Sequence, residues 1–155
     1  MKYKINECNY DIKKFIKDNI CKEFDIDYWD EWLEKQDYEC LKISPNILIS
    51  AEDNNSLIGI GAVKSINNYE CDFNTFYVKS DFRNKGIGNK IFDMCMEYIE
   101  KMGYKKITLC VDPKFEVARK IYEKNGFIFD YFDEEKQELY YHKDINKGVD
   151  LNGSK

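Results

Sequence analysis

The chain has 155 residues and a formal net charge of −5 at pH 7, a length for one domain around one core and a charge that speaks against sequence-independent nucleic-acid binding as the main activity. Its longest unbroken apolar stretch, Leu57 to Val63, falls far below the roughly 20 residues of a membrane span, and the N-terminus carries no signal-peptide core, so a cytoplasmic protein without a membrane partner is expected. Six cysteines without a C-x-x-C pair, and His142 as the single histidine, indicate neither a metal site nor a disulfide framework.

In chain order, Lys2 to Glu7 reads as a first strand. Asn9 is placed to cap a helix with the apolar face Ile12, Phe15, Ile16 and Ile20, and Asp11 suits its first turn. A second helix is expected over Asp27 to Glu39, before Pro45-Asn46 breaks the chain. Ile47 to Glu52, Leu57 to Ile66 and Tyr69 to Lys79, joined by Asp53-Asn54-Asn55-Ser56 and Asn67-Asn68, have the pattern of an antiparallel meander. Ile87, Ile91, Met94, Cys95, Tyr98, Ile99 and Met102 then recur at helical spacing until Gly103 stops the helix. Lys106 to Val111 is a strand. Phe115 to Lys124 is a helix with Val117, Ala118, Ile121 and Tyr122 on one side and Gly126 as its stop. Phe127 to Phe132 and Leu139 to Lys143 complete the sheet, and the polar residues 146–155 are expected to be disordered.

The segment Arg83-Asn84-Lys85-Gly86-Ile87-Gly88 lies between an extended aromatic run and the best-marked helix. Two glycines one residue apart let backbone approach an anion, and a helix start offers unpaired N–H groups with roughly half a positive charge. Arg83, Lys85 and Lys90 surround that point with cations. A P-loop is excluded, because no Gly-Lys-Ser/Thr follows an earlier glycine at the required spacing. A dinucleotide-binding turn would need a third glycine where Ile91 stands, although Asp112 could imitate its ribose-binding acid.

Phe76-Tyr77-Val78, then Arg83-x-x-Gly86-x-Gly88, then a strand, then Ala118-x-x-x-Tyr122-x-x-x-Gly126-Phe127 resembles the GNAT superfamily of acyl-CoA-dependent N-acetyltransferases. The resemblance is most specific over residues 69–130. It implies a mixed α/β (α+β) domain over residues 1–145, with a mostly antiparallel six- or seven-stranded sheet, a splayed central strand pair and about four helices. It further implies acetyl-CoA as acyl donor, no metal, an amine acceptor, and a monomer or homodimer. The donor's pantetheine arm would pair with Phe76, Tyr77 and Val78, and its pyrophosphate would sit on the amides of Arg83 to Gly88, with Asn89 and Lys90 adjoining.

Amine acetylation requires an attacking amine freed of its proton, which for a reference pKa near 10.4 costs roughly 4–5 kcal/mol at pH 7. Asp72 stands eleven residues before Arg83, where several members of the superfamily carry a glutamate thought to act as base. Strand alternation puts Asp72, Asn74, Phe76 and Val78 on one face. Asp72 reads equally as a hydrogen-bonded strand acid, and Glu70 is the other acid on that face. Tyr122 matches the tyrosine that donates a proton to the leaving thiolate, and its competing reading is a core aromatic. Phe115 replaces the asparagine many members carry three residues before Ala118.

For the acceptor, the resemblance points to the first two helices, the splayed strands and the last hairpin. Glu23, Asp25, Asp27, Asp30, Glu31, Glu34, Asp37 and Glu39 crowd one such region, opposed mainly by Lys35. They read either as a rim attracting cationic amines or as a solvated helix face. Tyr28, Trp29 and Trp32 suit a groove wall or a packed helix.

Overall fold

Short polar turns and alternating apolar residues place β1 (Lys2–Ile5), β2 (Ile47–Asp53), β3 (Ser56–Ser65) and β4 (Glu70–Val78) side by side in the computed structural model, which describes residues 1–145. The tail expected to be disordered lies outside the described residues. The β2–β3 turn depends on Asn54 and Asn55, both at positive φ (49° and 58°), a conformation that suits the strand twist of a two-residue hairpin. With β5 (Lys106–Val111), β6 (Ile128–Asp133) and β7 (Glu138–Asp144) they form one seven-stranded sheet in the order β1-β2-β3-β4-β5-β7-β6. Only the β4–β5 pair is parallel.

Helices cover the sheet unequally. On one face, α3 (Ile87–Lys101) and α4 (Glu116–Lys124) enclose a core that includes Phe73, Ile91, Phe92, Leu109, Tyr122 and Tyr141. On the other, α1 (Ile12–Phe15), which continues as π-helical turns over Ile16–Cys21, and the short α2 (Asp30–Glu34) pack with Leu48, Leu57, Ile60, Ala62 and Tyr77. No member of this second cluster belongs to β5, β6 or β7. Beyond β4, that face of the sheet lacks an apolar cover among the described residues.

Three local expectations need correction. The first helix is capped by Asp11, whose carboxylate accepts from the Lys14 amide at 3.1 Å, rather than by Asn9. The helix expected over Asp27 to Glu39 shrinks to α2, because Asp37 bonds the amides of Glu39 and Cys40 (3.0 and 3.2 Å) and diverts the backbone into a turn. Val117 faces solvent at 59% exposure instead of joining Ala118, Ile121 and Tyr122.

A fourth correction matters for the site. The register runs Ile60↔Tyr77 and then Ala62↔Asn74, so Gly61 alone faces Thr75 and Phe76. Thr75 lies at φ +57°, a costly conformation for a β-branched residue, worth about 1–3 kcal/mol. This bulge reverses the alternation: Cys71, Phe73, Phe76 and Val78 all pack with α3 and α4, whereas Asp72 and Asn74 share the opposite face with Tyr77. Alternation alone had put Asp72 and Phe76 together. Gly61 is required there, since a Cβ would lie 2.7 Å from Ile91 Cγ2.

Candidate active site

The parallel ladder between β4 and β5 has three rungs, Glu70↔Lys106, Cys71↔Ile107 and Asp72↔Thr108. Beyond Asp72, β4 continues against β3 as far as Val78, and β5 continues against β7 as far as Val111. The two strands therefore part immediately after Asp72. Phe73 to Val78 then present a backbone edge without a β5 partner, the kind of edge to which an extended ligand can add as a strand.

Past β4 the chain turns through a short helical segment, Ser80–Phe82, and reaches α3. Asn84 (φ 62°) and Gly86 (φ 82°) both take left-handed conformations, and Gly86 is the residue at which α3 begins. Its first amides, those of Ile87, Gly88 and Asn89, have no partner within the helix. A Cβ built on Gly86 would meet nothing within 4 Å, whereas one on Gly88 would touch Val78 and Phe76 at 3.6 and 3.8 Å. The cradle is thus open outward and packed inward. Lys85 lies over the Phe82 ring at 5.3 Å and Lys90 over Tyr3 at 5.9 Å, and Asn84, Lys85, Gly86, Asn89 and Lys90 are all exposed. Ile91 is buried against Gly59 and Gly61. A dinucleotide turn has no third glycine here.

Arg83 is committed elsewhere. Its amide donates to Ser80 O (3.3 Å), its Nε to Val78 O (3.0 Å), and its two terminal nitrogens to Glu23 (2.5 and 2.7 Å). The Tyr77 hydroxyl also donates to Glu23 (2.6 Å), and the guanidinium lies 5.2 Å from the Tyr77 ring centre. Burial pulls the Glu23 carboxyl upward, but the bonds from Arg83 and Tyr77 outweigh it and hold Glu23 below its ordinary value. Glu23 gave no sign of this in sequence, where it was one acid among eight.

Asp72 and Tyr122 flank the point where the strands separate. Asp72 accepts from Asn74 Nδ2 (2.9 Å) and Thr108 Oγ1 (3.2 Å). Burial nevertheless holds its carboxyl above the usual range, with the charge of Glu138 adding to the rise, as suits a base. Tyr122, on the other face, is 5% exposed and stands edge-on to Phe73 at 6.0 Å, with Phe76, Phe127 and Tyr141 around it. Burial raises its phenol strongly, and the nearby Asp72 carboxylate adds to the rise, so the O–H remains a donor throughout the neutral range. Tyr122 is thus a core ring that packs on Phe73 and Phe76 of the parting strand. Glu70 lies two rungs away from the split, opposite Lys106.

On the face of Asp72, register sets Thr108 against His142, Cys110 against Tyr140 and Tyr131 against Tyr140. The Tyr131 and Tyr140 rings stack at 4.6 Å and 8°, and Cys110 Sγ donates to Glu138 at 3.1 Å. The opposite wall is aromatic. Phe115 packs on Phe24 (4.6 Å) and Trp29 (5.9 Å), while Tyr28 donates to Asp112 (3.0 Å), so Phe115 at the family's asparagine position serves ring packing. The acidic rim is partly neutralised: Glu23 pairs with Arg83, Asp30 with Lys17 and Glu39 with Lys42. Among the described residues no group of acids, histidines and cysteines could hold a metal, and no helix is long and apolar enough to cross a membrane.

Residues 12–127 match the sequence model of the Acetyltransferase (GNAT) family. The uncharacterized N-acetyltransferase YsnE of Bacillus subtilis is 30% identical over 80 residues, which cover 50% of this chain and 53% of that protein, so the match spans about half the length of this curated relative. The PaiA N-acetyltransferase of Thermoplasma acidophilum, solved in complex with coenzyme A, superposes with a TM-score of 0.72 at 19% identity over 94% of this chain and 100% of that one. A GNAT-family acetyltransferase of Staphylococcus aureus Mu50 gives 0.73 at 23% identity over 92% and 99%. With the parted strands, the glycine cradle and three quarters of the chain in register with the family's sequence pattern, this protein belongs to the acetyltransferase (GNAT) family.

Proposed function

We propose that the protein is an N-acetyltransferase that moves an acetyl group from acetyl-CoA to the primary amine of a small molecule by direct attack. The observation that carries this reading is the divergence of β4 from β5 after Asp72↔Thr108, beside the exposed turn Asn84-Lys85-Gly86 and the unpaired first amides of α3. The cradle fits a pyrophosphate: the space outside Gly86 is open, the α3 amides supply donors, and Lys85 and Lys90 supply mobile charge. The parting strands fit an extended arm, with Phe76, Tyr77 and Val78 offering backbone. Bound there, the donor supplies an acyl group activated by a thiol leaving group.

The chain's own residues then manage protons and geometry. Asp72 accepts the proton of the incoming amine, directly or through water, and its raised affinity for a proton reduces the cost of that transfer. Tyr122 donates a hydrogen bond toward the departing sulfur from the opposite side. Asn74 and Thr108 orient the Asp72 carboxylate. A small amine is favoured over a polypeptide because the acceptor side carries a packed aromatic cluster, Phe24, Trp29 and Phe115. A preference for cationic amines rests on Asp72 and Glu138 rather than on the neutralised helix acids.

The test is release of free thiol from acetyl-CoA, with a panel of small amines and of peptides bearing free N-termini or lysines. Turnover with a small amine, reduced by Asp72→Asn, supports the reading. Turnover with peptides alone would move the acceptor to proteins, and saturable binding without thiol release from any amine would leave an acyl-CoA-binding module.

A further inference from the structure

We infer that Glu23 is a positioning residue for the donor cradle, acting through Arg83 as a latch between the helical layer on the acceptor side and the loop that opens α3. The inference rests on the acetyltransferase reading but concerns Glu23, which that reading does not use.

Glu23 stands two residues past the π-helical turns of Ile16–Cys21, and Arg83 lies 60 positions later, at the entrance to the cradle. The guanidinium makes a forked pair with the carboxylate (2.5 and 2.7 Å) while its Nε fixes Val78 O (3.0 Å). Glu23 accepts a third bond from Tyr77 (2.6 Å), and Tyr77 packs edge-on against Phe15 at 5.9 Å. One carboxylate therefore joins α1 and its π-helical continuation, the unpaired end of β4 and the first residue of the cradle. Both partners are three-quarters shielded, with side-chain exposures of 24% and 25%, so the pair is bidentate and partly desolvated, the geometry in which an Arg–carboxylate bond is directional. Holding Arg83 from two sides fixes where the left-handed residues Asn84 and Gly86 aim their amides.

The sign of one substitution separates this role from simple proximity. A carboxylate near a phosphate site repels the ligand, so if Glu23 only neighboured the cradle, Glu23→Gln would tighten binding of coenzyme A. As the latch it does the reverse: Glu23→Gln weakens coenzyme A roughly tenfold, Arg83→Ala weakens it by a similar factor, and the double variant is no weaker than either alone. The exchanged pair Glu23→Arg with Arg83→Glu recovers part of the loss. Amide hydrogen exchange provides a ligand-free readout, in which Glu23→Gln accelerates the two hydrogen-bonded amides that bracket the cradle, Arg83 (to Ser80 O) and Lys90 (to Gly86 O), while the amides of β2 and β3 keep wild-type protection, showing that the fold is intact.

Tighter binding in Glu23→Gln, additive losses in the double variant, or unchanged exchange at the Arg83 and Lys90 amides would overturn the latch. If the wild-type protein binds no coenzyme A, the acetyltransferase reading fails instead, and the exchange experiment still decides whether Glu23 positions the loop.

Discussion

Asp72 occupies the last paired position before a strand gap, in surroundings that disfavour its charge. Its folded-state pKa lies above the ordinary value because burial opposes ionisation. As a base it is active when deprotonated, so kcat should rise with pH through that elevated pKa. Asp72→Asn should remove this limb and lower kcat roughly a hundredfold. The same shift has a stability consequence. Between the unfolded and the raised folded value the native state binds more protons, so the Asp72 contribution to stability declines as pH rises through that window. Asp72→Asn should therefore raise the urea midpoint at neutral pH while activity falls, and a lowered midpoint would contradict this account of the site. Tyr122→Phe keeps the ring among Phe73, Phe76, Phe127 and Tyr141 and removes only the donor. It should cost roughly tenfold to a hundredfold in kcat with little change in KM or in melting temperature.

At the level of elements, the bulge in β4 and the glycines of β3 decide where side chains point. Gly61→Ala would put a Cβ at 2.7 Å from Ile91 Cγ2 and should destabilise the protein by about 1–3 kcal/mol in urea unfolding. Gly86→Ala meets no atom, so only its left-handed backbone opposes it, at about 1 kcal/mol. Sequence made α3 legible because Ile87, Ile91, Cys95 and Ile99 form one buried stripe. It made Gly103 and Gly126 legible as stops, both at φ above +80°. The Thr75 bulge was not legible: threonine is an ordinary strand residue, and nothing in a single strand shows that its partner has one residue fewer. The face assigned to Asp72 relative to Phe76 followed from that omission. The truncated α2 was missed for a related reason, since the local competition from Asp37 looks in sequence like one more helix acid.

Across the whole molecule, two layers of helices meet the sheet at different strands and leave the split between β4 and β5 accessible from the face bearing Asp72. The Glu23–Arg83 bridge joins those layers over 60 residues of chain, a separation at which no sequence pattern signals pairing. Its pH behaviour follows from the lowered Glu23 value, in which the bonds from Arg83 and Tyr77 overcome the opposing effect of burial. A carboxyl depressed in the folded state contributes stability that is present above its unfolded pKa and lost as pH falls through the folded one. Glu23→Gln should consequently flatten the acid side of the stability profile, which melting curves taken through the carboxylate range would detect. Of the acids of the same region, Glu23, Asp30 and Glu39 are ion-paired and Asp37 is bonded to backbone amides, so local charge is weaker than composition suggests.

In the proposed complex the donor lies along the unpaired edge of β4 with its phosphates on the start of α3. The most direct measurement is a backbone amide NMR titration with acetyl-CoA. Saturable shifts concentrated in Phe73–Val78 and Asn84–Lys90, reproduced by coenzyme A and not by NAD, are the expected result. Absence of saturable binding in a folded sample, or shifts centred on other surfaces, would contradict it.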